Sequence, residues 1–256
     1  MYIIRTIIAM FLCGVELILV SPFMVLNKAR KASGDPRRLE KREKSVRRIT
    51  RWWARTILFY SGVTVTVTGL SNIPKSPCVL VGNHQGYYDI ISLLGAMDKP
   101  RAFMGQSGFQ KVPFMSGWMQ NLDCVFVDRE NAKEAMRAVQ KAEKLLEGGK
   151  DIYVFPEGTR SQCDSIGPFK QGAFRMATKV KCPIVPFLID GTYKIYEKNH
   201  GWIKPAHVDI TVLPPIDTAA LDRVRLNQLT DEIREILLKE QAKRFAEKKG
   251  GTQQNE

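Results

Sequence analysis

A chain of 256 residues is long enough to bury one large core, or one core with an appendage. Its 39 lysines and arginines stand against 26 acidic residues, a net charge of +13, which points to an anionic partner: nucleic acid, anionic lipid or a phosphorylated substrate. The five cysteines, Cys13, Cys78, Cys124, Cys163 and Cys182, form no Cys-x-x-Cys pair, and the three histidines supply no metal-ligand spacing beside them, so the composition indicates a reducing compartment and no structural metal.

Residues 6–26, TIIAMFLCGVELILVSPFMVL, carry one charged side chain, Glu16. At ~1.5 Å per residue, about 20 helical residues cover the hydrocarbon core of a bilayer. A signal peptide fits poorly, because the apolar run is too long and no small-residue cleavage site follows. A buried core helix would be unusually apolar on every face. Glu16 is costly in lipid and Pro22 can kink or end a helix, so a single span and a half-inserted monotopic hairpin are both open. Residues 28–55 then hold twelve lysines and arginines against Asp35, Glu40 and Glu43, a local charge of +9. Trp52 and Trp53 lie in the same stretch, as in a helix resting at the headgroup layer. A charge run is often only a solvated helix face; its position beside the apolar run favours a membrane surface. Basic residues just after the anchor put the following domain on the cytoplasmic side of the cell membrane.

The remaining elements alternate. Residues 63–68, VTVTVT, have the strict alternation of a half-buried strand. Strands are expected at 78–81, 102–104, 124–127, 151–155, 184–189 and 208–213. Helices are expected at 89–97, from Asn131 to a stop at Gly148 with Glu134 completing a capping box, and at 171–180. A long C-terminal helix follows Asp217 and Thr218, with Leu226, Leu229, Ile233, Ile236 and Leu237 on its apolar face. The pattern predicts an α/β fold: a mostly parallel or mixed central sheet covered by helices, with an N-terminal membrane-associated helical segment. The expected divisions are 1–60 for the anchor and basic helix, 61–247 for the α/β domain, and 248–256 for a polar, frayed tail.

In open α/β sheets, reactive groups gather at the carboxyl ends of strands. The sequence NHQGYYD, residues 83–89, puts His84 there. Residues five apart in a continuous helix diverge, so His84 and Asp89 meet only if the chain turns near Gly86 and a helix starts near Asp89. A carboxylate on one ring nitrogen fixes the tautomer and stabilises the imidazolium, leaving the other nitrogen to take a proton. No Gly-x-Ser-x-Gly elbow supplies a nucleophile, so a substrate hydroxyl is the expected one. FPEGTRS at 155–161 offers Gly158 for close backbone approach, hydroxyls on Thr159 and Ser161, and the planar guanidinium of Arg160, suited to phosphate. Val127-Asp128-Arg129 ends another strand.

These blocks resemble the 1-acylglycerol-3-phosphate acyltransferases, the lysophosphatidic acid acyltransferases. NHQGYYD matches the family's Asn-His-x4-Asp block, FVDR at 126–129 the second, FPEGTRS the third and IVPF at 184–187 the fourth. The resemblance implies an O-acyltransferase of phospholipid biosynthesis. It would move an acyl group from acyl-CoA or acyl carrier protein to the sn-2 hydroxyl of lysophosphatidic acid, giving phosphatidic acid, without metal or other cofactor. His84 would be the general base and Asp89 its partner. Substrate binding would fall to Asn83, Arg129, Glu157, Gly158, Thr159 and Arg160, with Glu157 shaping the loop rather than touching phosphate. Many relatives carry a lysine where this chain has Gln106, with Lys111 nearby, so a lyso-ornithine lipid or another lysophospholipid is the rival acceptor. A nucleic-acid binder would spread its charge over a folded face, and a silent membrane scaffold would not need His84 with Asp89; no nucleic-acid partner is expected.

Overall fold

The computed structural model describes residues 2–97, 101–112, 115–128, 131–221 and 223–253. Two long helices open the chain, α1 (Tyr2–Ala32) and α2 (Pro36–Ser61). They form an antiparallel hairpin, pinned by Thr56 Oγ1 donating to Glu16 at 2.9 Å and by Asn27 donating to Ser45 at 3.3 Å. Pro22 neither ends nor splits α1. It has no N–H for the Ile18 carbonyl, and the Ser21 hydroxyl donates to that oxygen instead, at 2.7 Å. The hairpin is tight because Asp35 caps α2 through Arg37 N and Pro36 stands at its first position. Gly62, at φ 69°, closes α2 in the left-handed region that a side chain disfavours.

The α/β domain continues with β1 (Thr64–Thr68), β2 (Val79–Gly82), α3 (Tyr88–Ala96), β3 (Ala102–Gln106), α4 (Met115–Asn121), β4 (Val125–Val127) and α5 (Ala132–Glu147). Then come β5 (Ile152–Val154), α6 (Arg175–Val180), β6 (Ile184–Asp190), β7 (His207–Val212) and α7 (Arg223–Gln253). The seven strands form one mixed sheet in the order β1-β7-β6-β2-β5-β3-β4. All neighbours are parallel except β6 and β7. The central strands β2 and β6 are buried along their whole length, which is why they read as continuous apolar runs, whereas β1 alternates as an edge strand.

Side chains of β2 alternate between two cores. Leu80 faces a cluster with Ala54, Leu58 and Leu93 of α2 and α3, while Val79 and Val81 face Ala138, Leu146, Met176, Leu229 and Ile233 of α5, α6 and α7. The result is a helix–sheet–helix sandwich. The helix expected at 171–180 is instead a 3₁₀ turn, Gln171–Ala173, followed by α6. Helix α5 has its Asn131 cap, which accepts from Lys133 N and Glu134 N; the left-handed residue behind it is Gly149, φ 87°, not Gly148. The strand expected at 102–104 runs on to Gln106. The side chain of Leu226 lies outside the described residues. The segment expected to fray from Lys248 continues α7 to Gln253, and Lys248 pairs with Asp190 at 2.6 Å and Asp209 at 3.0 Å.

Candidate active site

Because β2, β3, β4, β5 and β6 run in one direction, their carboxyl ends share an edge. His84 follows β2 there, the Glu157–Arg160 loop follows β5, and Thr192 follows β6. Gly82 ends β2 with no room for a side chain: a Cβ would lie 2.3 Å from the ring of Phe187. Asn83 is buried and pairs twice with the backbone of Ile189, donating to its carbonyl at 2.9 Å and accepting from its N–H at 2.8 Å. It clamps β2 to β6 rather than facing the site.

The chain then turns, and α3 begins at Tyr88, so Asp89 falls in its first turn. Asp89 is fully buried, and its Oδ2 accepts from His84 Nδ1 at 2.6 Å, Gln85 N at 2.7 Å and Gly86 N at 3.0 Å. The hydroxyl of Thr192 donates to its other oxygen. Four donors around a fully buried carboxylate hold it in place. His84 is held from a second side by Phe155, whose ring stacks on it at 4.2 Å and 17°. Nε2 of His84 has no partner among the described residues, and the side chain is 18% exposed, so this nitrogen faces the open edge.

The loop after β5 is stitched to the same turn. Ser161 N donates to His84 O at 2.8 Å and Gln162 N to Gln85 O at 3.0 Å. Glu157 accepts from His84 N at 2.8 Å and from Gly167 N at 3.1 Å, so both oxygens are committed to backbone. Burial pushes its carboxyl up from the ordinary range, against the two N–H groups that pull it down. Gly158 takes φ 74° and turns the chain so that Thr159 is exposed and Arg160 half-exposed. The guanidinium of Arg160 lies 3.6 Å above the centroid of the Tyr87 ring.

A family model described as Acyltransferase matches residues 64–190, the stretch that carries the His84–Asp89 turn and the loop after β5. A 1-acyl-sn-glycerol-3-phosphate acyltransferase of Borreliella burgdorferi is 31% identical over 183 residues, covering 71% of this chain and 73% of that one. The chain belongs to this acyltransferase family. A chloroplastic 1-acyl-sn-glycerol-3-phosphate acyltransferase of Brassica napus is 33% identical over 171 residues. That match covers 66% of this chain and 49% of the relative, so the chain spans about half of that protein's length. The crystal structure of the 1-acyl-sn-glycerophosphate acyltransferase PlsC from Thermotoga maritima superposes with a TM-score of 0.80 at 26% identity, covering 95% of this chain and 96% of that one.

Within this acyltransferase fold, the structure brings His84, Asp89, Glu157, Gly158, Thr159 and Arg160 to one edge. Asn83 lies behind them in the sheet. Arg129 lies outside the described residues. Gln106 ends β3 on the same edge and is exposed, as is Lys111 in the 3₁₀ turn beyond it. Two contributors escaped sequence reasoning. Thr192 follows Gly191 directly after β6, a strand-end position that the same rule of thumb could have flagged. Glu197 had no such signal. It accepts from Tyr87 N at 2.7 Å, and a Cβ on Gly86 would meet its carboxyl oxygens at 2.6 Å. Burial raises the Glu197 carboxyl from its ordinary range, while the Tyr87 N–H and the charge of Arg160 pull it back.

Proposed function

We propose that this protein moves an acyl group from a thioester donor, acyl-CoA or acyl carrier protein, to the sn-2 hydroxyl of lysophosphatidic acid. The observation that carries this reading is the His84–Asp89 pair, with Nδ1 held by a buried carboxylate and Nε2 open at the strand-end edge, where Ser161, the residue after Arg160, donates to the His84 carbonyl. Nε2 takes the hydroxyl proton as the oxygen attacks the thioester carbonyl. The N–H groups of Thr159 and Arg160 donate to no acceptor among the described residues and are available to the oxyanion. Collapse expels the thiolate, which takes the proton back from His84, so no covalent enzyme intermediate is needed. Arg160 binds the acceptor's phosphate with its planar edge while its face rests on Tyr87.

A cavity of about 240 Å³ supports the lipid side of this reading. It lies under α1, between α2, α3 and α4, and its lining, including Leu17, Trp53, Ile90, Phe103 and Trp118, is almost wholly apolar. Tyr87 lines it too, so it adjoins Arg160 and can take part of an acyl chain. The membrane attachment is proposed to be monotopic. One narrow stripe of α1, with Ala9, Glu16 and Val20, packs inward, whereas Phe11 at 67% and Leu19 at 63% exposure belong to a broad apolar face. The outer face of α2 adds Lys44, Arg47, Arg48, Arg51, Trp52 and Phe59. This arrangement would set the catalytic edge on the cytoplasmic leaflet.

Gln106 at the end of β3 favours a second acceptor, a lyso-lipid without a terminal phosphate. Purified protein is assayed for thiol release with lysophosphatidic acid and with a zwitterionic lyso-lipid. Arg160→Lys is expected to raise the KM for lysophosphatidic acid roughly 10–150-fold, the worth of one charge-assisted contact. An unchanged KM, with wild type preferring the zwitterionic lipid, would move the assignment to the second acceptor. No thiol release with either would refute the acyltransferase reading itself.

A further inference from the structure

A second cavity, of about 310 Å³, lies at the opposite edge of the sheet, where β3, β4 and β5 begin, against the N-terminal half of α2. Five cations line it: Arg42, Lys44, Arg47, Lys75 and Lys150. The carboxylates among them are already matched. Asp123 holds Lys31 and Lys150 at 2.5 Å and Arg42 at 3.0 Å. Asp151 holds Arg101 at 2.9 Å, Glu40 holds Lys44 at 2.6 Å and Glu43 faces Lys150 at 3.5 Å. Arg47 and Lys75 have no acidic partner among the described residues. Arg42 is 3% exposed, and its Nε is a buried donor without an acceptor among the described residues. Such unmatched buried donors are rare and ask for an acceptor. The uncompensated charge in this cavity is therefore positive, and its donors are of the kind that grip tetrahedral oxyanions.

We propose that this cavity binds a phosphate group, at a site separate from the catalytic edge. The phosphate is either the headgroup of an anionic lipid or a soluble phosphate ester. The first source is physically accessible, because Lys44 and Arg47 line both this cavity and the outer face of α2. A phosphate held there touches α2 on one side and the loop before β2, at Lys75, on the other. It would tie the helical hairpin to the sheet, in support of the Asp123 cluster that already joins α1, α2 and the loop before β5. The proposal does not depend on which lipid the catalytic edge acylates.

The test uses the full chain in neutral detergent, with inorganic phosphate replacing chloride at constant ionic strength and thermal melting as the readout. Arg160→Gln is the background, so that the catalytic edge does not contribute. A saturable rise in melting temperature is expected. Arg47→Ala and Lys75→Ala should each raise the half-saturating phosphate concentration at least about tenfold, and Arg48→Ala, on the outer face of α2 only, should not. Flotation with phosphatidylcholine vesicles, with and without phosphatidic acid and at high salt, separates the sources. If Lys75→Ala loses retention on the phosphatidic acid vesicles, the site takes a lipid headgroup. If it floats like wild type but has lost the phosphate response, the site takes a soluble ester. The proposal is overturned if phosphate has no effect in the Arg160→Gln background. It is equally overturned if the response survives both Arg47→Ala and Lys75→Ala, or falls as much with Arg48→Ala.

Discussion

Replacing Asp89 by Asn changes charge and little else. The amide oxygen can still accept from Gln85 N and Gly86 N, and Thr192 can turn its hydroxyl to accept from the amide nitrogen. The turn between β2 and α3 should therefore survive, and the melting temperature should stay near that of wild type. What is lost is a carboxylate 2.6 Å from an imidazole that becomes positive as it takes the substrate proton. At ~3 Å and an effective dielectric of about 20, that attraction is about 5 kcal/mol. The amide oxygen can still accept from Nδ1 of His84 and offsets part of it. A transition-state loss of about 3–5 kcal/mol corresponds to a fall in kcat of roughly 10²–10⁴-fold. KM should change little, because the charge develops only in the transition state. Steady-state thiol release with saturating lyso-lipid reads this directly. Thr192→Val, which removes one donor to the same carboxylate, should lower kcat roughly tenfold. Near-normal kcat in a folded Asp89→Asn protein would refute the base assignment of His84.

Glu197→Ala frees Tyr87 N and removes the carboxylate beside Arg160; both kcat and the KM for the phosphate-bearing acceptor should worsen, whereas Glu197→Gln, which can still accept from Tyr87 N, should restore kcat more than KM. Asp123→Asn leaves Arg42 buried against Lys31 and Lys150 and should destabilise the fold by about 3–5 kcal/mol in denaturant titration. Burial pushes the Asp123 carboxyl up, but Lys150, Lys31 and Arg42 together outweigh it and hold it down to about 2, below the ordinary 3.8, so its stabilisation is complete above the ordinary value and lost as pH falls through about 2. The stability gap between wild type and Asp123→Asn should therefore be constant above about pH 5 and shrink below it. Phe11→Asp with Leu19→Asp, both on the exposed face of α1, should release the protein from vesicles at high salt without lowering its melting temperature; retention at high salt would show that α1 is not the main anchor.

Local chemistry determined much of this protein. Continuous apolar runs marked β2 and β6 because strands covered on both faces need no alternation, and alternation marked β1 because an edge strand has one wet face. Asn131 announced α5 because a short polar side chain satisfies the first free N–H groups of a helix. NHQGYYD and FPEGTRS were legible as strand-end loops for the same reason: glycines and polar residues cluster where a backbone must turn at a sheet edge. Tertiary structure decided the rest. Pro22 does not break α1, because a neighbouring serine satisfies the carbonyl it frees. Glu16 is tolerated in an apolar helix because Thr56 of α2, forty residues away, donates to it. Asn83 spends both amide groups on Ile189, and Glu157 spends both oxygens on backbone, which no local pattern could reveal. Thr192 and Glu197 reach Asp89 and Tyr87 from more than 100 residues away only because β6 lies beside β2 in the sheet. A sequence specifies the groups that a turn or strand end can offer. Which of them meet depends on strand order, and strand order is set by how the whole chain buries its two apolar faces.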